Sequence, residues 1–171
     1  MNIVLTGFMG TGKSAVGMLL AKKLAWQYYD TDTMIEKEVG YSINEIFAKN
    51  GESYFRDVES KAVKLVALLD KTVVSTGGGV VLRKENMAEL ERSGIIICLT
   101  ATPEKIYERT KHDTSRPLLE VDEPIMKIRE LLDFRKAFYG KCNLIVDTTN
   151  LTPQQIADKI LAFPQIAEGI E

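Results

Sequence analysis

Near the start of the chain, Gly7-Phe8-Met9-Gly10-Thr11-Gly12-Lys13-Ser14 constrains the fold more tightly than any other stretch. It matches GxxxxGK[ST], a pattern that works only where a strand ends and a helix begins. Ile3-Val4-Leu5 supplies the apolar run in front. Behind it a helical pattern runs over 13–24, with Val16, Leu19, Leu20 and Leu24 on one stripe. The layout has a physical reason. Glycines let successive backbone N–H groups converge on phosphate oxygens without Cβ clashes. The helix N-terminus adds its positive dipole end. Lys13 supplies a point charge to β- and γ-phosphates, and the Ser14 hydroxyl suits Mg²⁺. A loop of this kind names a nucleotide, not an activity, because switches, ATPases and kinases share it.

The rest of the chain alternates in the same way. Short apolar runs at 26–29, 72–75, 94–99 and 144–147 are expected as strands. Helical patterns fall in 33–70, 83–92, 103–109 and 122–140 and after Thr152-Pro153. Continuous apolar strands are buried on both faces, so the fold class is α/β: an open parallel sheet with helices on both sides. At 171 residues the chain makes one domain, 1–171, with a core over about 1–32, 72–109 and 122–165. A helical insertion is expected over about 33–62, and a lid over about 110–121, where periodicity breaks beside the nucleotide site. The tail after Pro164 is expected to fray.

Composition narrows the function classes. A net charge of −2 gives no support for binding nucleic acid or a membrane surface. Cys98 and Cys142 sit in or beside apolar runs and lack a CxxC partner, so two buried reduced thiols are expected rather than zinc. His112 is the single histidine, which rules out chemistry needing two. With no signal-peptide pattern and no bilayer-length apolar stretch, a cytoplasmic location is the default.

Several polar residues stand where such a sheet faces its ligand crevice. Asp30 and Asp32 follow the second strand; in extended chain, residues two apart point the same way. One carboxylate could reach Mg²⁺ through water and the other could orient an acceptor hydroxyl. Helix capping and turn chemistry are the plainer readings, although Thr33-Met34-Ile35-Glu36 already offers a capping box. Arg135 falls on the apolar stripe of its helix, after Ile128, Leu131 and Leu132. A guanidinium on a core-facing stripe needs an anion, and a structural ion pair is the alternative to a substrate. Arg56 is a second candidate, with a surface pair to Glu59 as its alternative. Together, two arginines would suit a carboxylate. Gly77, Gly78 and Gly79 after the third strand would let a ligand approach backbone N–H groups. Arg116, in the lid, could stabilise charge on a phosphoryl in flight. Arg109 could stack on adenine or cap its helix.

Taken together, Gly7 to Ser14, Asp30-Thr31-Asp32, Phe55-Arg56, Gly77-Gly78-Gly79, Arg116-Pro117-Leu118-Leu119 and Arg135 resemble the shikimate kinase family in order and spacing, over roughly 2–160. The resemblance implies a three-layer fold of the nucleoside-monophosphate-kinase type, with a five-stranded parallel sheet in the order 2-3-1-4-5. It implies transfer of the ATP γ-phosphoryl to the 3-hydroxyl of shikimate, with Mg²⁺, by a monomer with no nucleic-acid or membrane partner. Catalytic roles would fall to Lys13, Asp32 and Arg116. Gly10, Thr11, Gly12, Lys13, Ser14, Ala15, Arg109, Arg116 and Pro153 would hold the nucleotide. Asp32, Arg56, Gly77, Gly78, Gly79 and Arg135 would hold shikimate. Ser14 would ligate the metal, with Asp30 acting through water. Family members often carry a basic residue just before the proline region; here the stretch reads Thr148-Thr149-Asn150-Leu151-Thr152-Pro153. Two other readings compete. One is a kinase of this fold for another acceptor such as gluconate. The other is a nucleotide-dependent switch, against which stands the lack of an Asn-Lys-x-Asp run.

Overall fold

The computed structural model describes residues 1–112 and 122–170. Five parallel strands form one sheet in the order β2-β3-β1-β4-β5. They are β1 (Asn2–Gly7), β2 (Gln27–Asp30), β3 (Thr72–Ser75), β4 (Gly94–Thr100) and β5 (Leu144–Asp147). The central strand β1 is buried throughout, and its register places Leu5 beside Ser75 on one side and Ile97 on the other. Strand β2 runs one residue later than expected, so that Asp30 is its last residue, paired with Ser75.

Side-chain alternation along the strands feeds two cores. Ile3, Leu5, Val73 and Ile97 pack with Val16 and Leu20 of α1 (Lys13–Leu24) and with Ile156 and Ile160 of α7 (Pro153–Leu161). Val4, Val74, Ile96 and Cys98 face the other way. They pack against α3 (Ile43–Ala67), α4 (Lys84–Ser93), α5 (Pro103–Thr110) and α6 (Pro124–Tyr139). The result is the three-layer P-loop kinase architecture. The tail does not fray at Pro164: α8 (Pro164–Ile170) continues it, because Ile166 is fully buried in the first core. No helix among the described residues is long and apolar enough to cross a membrane.

Between β2 and β3 stand α2 (Thr31–Val39) and α3, joined by a core of their own built from Ile35, Ile46 and Phe55. The expected capping box at Thr33–Glu36 is absent. Asp30 caps α2 instead, three residues earlier, and the box belongs to Ser42 and Glu45 at the start of α3. Within α3, Gly51 has φ 80° and ψ 172°, which breaks the helix into two directions. Only glycine adopts that region without strain.

Candidate functional site

A cavity of about 500 Å³ opens at the carboxyl ends of β1, β2 and β3, between the sheet and α2–α3. The loop after β1 forms one wall. Its turns need positive φ at Gly7 (130°), Gly10 (73°) and Gly12 (97°). A Cβ on Gly7 would stand 2.2 Å from the Leu99 carbonyl oxygen. Lys13 curls back over the loop and donates from Nζ to the carbonyls of Gly7 and Phe8, 2.9 Å each. Thr11 is buried and donates to the Phe8 carbonyl at 2.8 Å. Of the expected nucleotide-binding residues, Gly10, Gly12, Lys13, Ser14 and Ala15 line the cavity.

The two aspartates reach the cavity from different elements, not along one extended segment. Asp30 ends β2, while Asp32 sits in the first turn of α2. Asp30 divides its oxygens. Oδ1 accepts the backbone N–H groups of Asp32 (3.0 Å) and Thr33 (3.3 Å). Oδ2 accepts the hydroxyls of Ser14 (3.2 Å) and Tyr28 (3.3 Å). Burial pushes the Tyr28 phenol above its ordinary value. A hydroxyl and a carboxylate beside a phosphate loop make a hard, all-oxygen donor set, which fits Mg²⁺. Among the described residues there is no group of three or more His, Cys, Asp or Glu able to cage a metal.

Arg56 and Arg135 reach the cavity from different helices, α3 and α6. The Arg56–Glu59 pair is not on the surface: the bond is 2.7 Å, and the Glu59 side chain is fully buried. Burial raises the Glu59 carboxyl, and the Arg56 charge pulls it part of the way back. Glu52 adds a longer contact to Arg56, 3.3 Å. Arg135 is 8% exposed, as its place on the apolar stripe implied. It donates to the Gly78 carbonyl at 3.3 Å and lies 5.6 Å from the centre of the Phe8 ring. Among the described residues no carboxylate pairs with it, and its Nε has no hydrogen-bond acceptor. The Tyr139 hydroxyl also donates to the Gly78 carbonyl, at 2.6 Å.

The three glycines prove tighter than a flexible turn. A Cβ on Gly77 would meet Asp32 Oδ1 at 2.7 Å, and one on Gly79 would meet the Arg56 guanidinium at 2.3 Å. The missing side chains therefore make room for Asp32 and Arg56.

Arg109 and Pro153 stand outside the cavity lining. Arg109 donates to Gly10 O (3.1 Å) and to both oxygens of Thr148 (3.1 and 2.8 Å), which ties α5 to the phosphate loop. Thr148 in turn donates to the Thr11 carbonyl at 3.0 Å. Pro153 is exposed at the start of α7, behind the Thr152 cap. Arg116 lies outside the described residues. Sequence reading missed three contributors: Thr148 as a hub, Tyr139, and the burial of Glu59. Tyr139 carried a signal, four residues after Arg135 on the same stripe. Thr148 carried none, because its partners come from three separate segments.

Comparison with known proteins gives consistent results. A family model described as shikimate kinase matches residues 9–165. The shikimate kinase of Thermodesulfovibrio yellowstonii is 51% identical over 169 residues, 98% of each chain. That of Caldicellulosiruptor bescii is 45% identical over 162 residues, 95% of this chain and 94% of its own. Among solved structures, the Acinetobacter baumannii shikimate kinase in complex with shikimate superposes with a TM-score of 0.93 at 34% identity, over 99% of this chain and 95% of that one.

Proposed function

Because this chain belongs to the shikimate kinase family, we propose that it transfers the γ-phosphoryl of ATP to the 3-hydroxyl of shikimate, as a monomeric cytoplasmic enzyme. One observation carries the acceptor side: Arg135 is buried at the wall of the cavity and, among the described residues, has no carboxylate partner. A desolvated guanidinium in that state is a carboxylate receptor, since leaving it unpaired costs several kcal/mol. Arg56 faces it with its charge already shared by Glu59 and Glu52.

In this reading the loop from Gly10 to Ala15 cradles the β- and γ-phosphates, and Lys13 leaves its carbonyl contacts for phosphate oxygens. Ser14, with Asp30 through water, holds Mg²⁺, which neutralises phosphate charge when bound. Asp32 receives the acceptor hydroxyl and orients its oxygen in line with the phosphoryl. It need not be a strong base, because the transition state is loose and positioning dominates. Arg56 and Arg135 grip the shikimate carboxylate, and the glycine-turn N–H groups, that of Gly78 above all, contact substrate. Helices α2 and the first part of α3 serve as the substrate-binding insertion. By the family resemblance, the stretch 110–121 would act as the lid and Arg116 on the phosphates; 113–121 lie outside the described residues. Arg109 and Pro153 flank adenine, and no charged side chain from 148–153 joins them.

The direct test is ADP release with shikimate as acceptor, alongside gluconate and nucleoside monophosphates. No shikimate-dependent turnover by intact, nucleotide-binding protein would sink the proposal. Arg135→Ala should raise the shikimate KM about 100-fold while leaving the MgATP KM near wild type. Equal damage to both would count against a carboxylate grip.

A further inference from the structure

Tyr28 is absorbed by none of the roles above, yet its phenol touches the carboxylate assigned to the cation. We propose that Tyr28 is a positioning residue for the cation site: its hydroxyl holds Asp30 Oδ2 at the place where that oxygen meets the Ser14 hydroxyl. The inference rests on the reading of Ser14 and Asp30 as the Mg²⁺ side of the site.

The geometry gives Tyr28 a distinct task. Asp30 Oδ1 is committed to the two backbone N–H groups that start α2. Those bonds anchor one oxygen but leave the carboxylate free to turn about it. Oδ2 is the oxygen facing the phosphate loop, and its two donors are Ser14 and Tyr28. A serine hydroxyl that coordinates a cation through its lone pair points its proton away, toward an acceptor such as Oδ2. Tyr28 is the second donor that holds that acceptor in place.

Packing locks the phenol itself. Gly17 follows Ser14 by one turn of α1, on the same face. A Cβ at Gly17 would stand 2.6 Å from Tyr28 Cε2 and 2.8 Å from Ser75 Oγ. The ring thus fills a slot that only glycine leaves open. Ser75 lines the same slot and donates to the Lys13 carbonyl at 3.1 Å, so the first turn of α1 is braced by β3 beside the ring. Ser14, Asp30 and Tyr28 are held by α1, β2 and β3 as one unit. Partners that orient metal ligands in this manner commonly change metal affinity about 10- to 100-fold when removed.

Tyr28→Phe keeps the ring in its slot and deletes only the donor. The test is an electron paramagnetic resonance titration of Mn²⁺ into the protein saturated with ADP, which requires no turnover. Tyr28→Phe should weaken Mn²⁺ binding about 10-fold. The Mg²⁺ concentration for half-maximal rate should rise in parallel, with the shikimate KM unchanged. A merely structural phenol would lower Tm and kcat and leave the Mn²⁺ affinity at the wild-type value; that outcome overturns the role. Ser14→Ala, measured in the same way, separates the two layers of the reading. If Ser14→Ala weakens Mn²⁺ binding and Tyr28→Phe does not, only the role of Tyr28 falls. If neither does, the assignment of the cation to Ser14 and Asp30 falls with it.

Discussion

At Gly79 a hydrogen atom stands where any other residue would place a carbon 2.3 Å from the Arg56 guanidinium. The backbone there has φ −99°, which alanine adopts without strain. Gly79→Ala should therefore fold with little loss of stability and push the far end of Arg56 aside. The expected result is a shikimate KM about 10-fold higher with an unaltered MgATP KM; a wild-type shikimate KM would show that Arg56 does not grip the substrate from its observed position. The thiols make a second prediction at this scale. Cys98 is buried and Cys142 half-buried, and neither is in a disulfide. The Cys98 side chain beside Cys142 holds the Cys142 thiol below its ordinary value of 9.0, while Cys142 and burial hold the Cys98 thiol above it. A lowered value means more thiolate at neutral pH, hence faster alkylation. The pH midpoint of Cys142 alkylation by iodoacetamide should lie below 9.0 and move up in Cys98→Ala. An unmoved midpoint would remove Cys98 as the cause.

Among the elements, α3 does the most to shape the cavity, and Gly51 divides its labour. The segment before the break presents Ile43, Asn44 and Phe47 to the cavity, and the segment after it presents Arg56 and Glu59. A straight helix would aim these two groups along one axis. Gly51→Ala should cost about 1–3 kcal/mol, because φ 80° with ψ 172° belongs to glycine. Each kcal/mol should lower Tm by about 2–4 °C in a chain of this size. The shikimate KM should rise as well, as the two segments lose their angle. A wild-type Tm would mean that the break tolerates a side chain. The helical pattern expected over 33–70 passes over this break, although Asn50-Gly51 is a turn pair and Phe55, nine residues after Ile46, would lie half a turn out of phase with it on one straight helix. The helix start at Thr31, by contrast, was hidden. Asp30 caps it only because β2 delivers the carboxylate at the right angle, while Thr33 and Glu36 carried the stronger local signal.

For the whole molecule, the sheet with its two cores is the frame, and α2 with the first part of α3 adds a smaller core beside it. Substrate held between the two should fasten the smaller to the larger. Shikimate at about 100 times its Kd should add roughly 2.7 kcal/mol, a Tm rise of about 5–10 °C. Hydrogen exchange should slow most in 31–50 and least in β1, which is already buried; uniform protection would contradict substrate binding between frame and insertion. The sequence by itself determined the frame. Alternating apolar runs and helical stripes require a parallel sheet covered on both faces, because neither element can leave its apolar side in water. It also determined the phosphate loop, whose function is written in backbone freedom at consecutive positions, and the placing of Arg135, whose stripe could be counted. Only the tertiary structure decided whether the Arg56–Glu59 pair is buried, that Thr148 joins Arg109 to the phosphate loop, and that Tyr28 braces Asp30. The physical reason is the same in each case. Local periodicity records which side of an element meets apolar surroundings, whereas a polar contact between distant segments depends on where the sheet order and the helix angles set two atoms within 3 Å or so of each other.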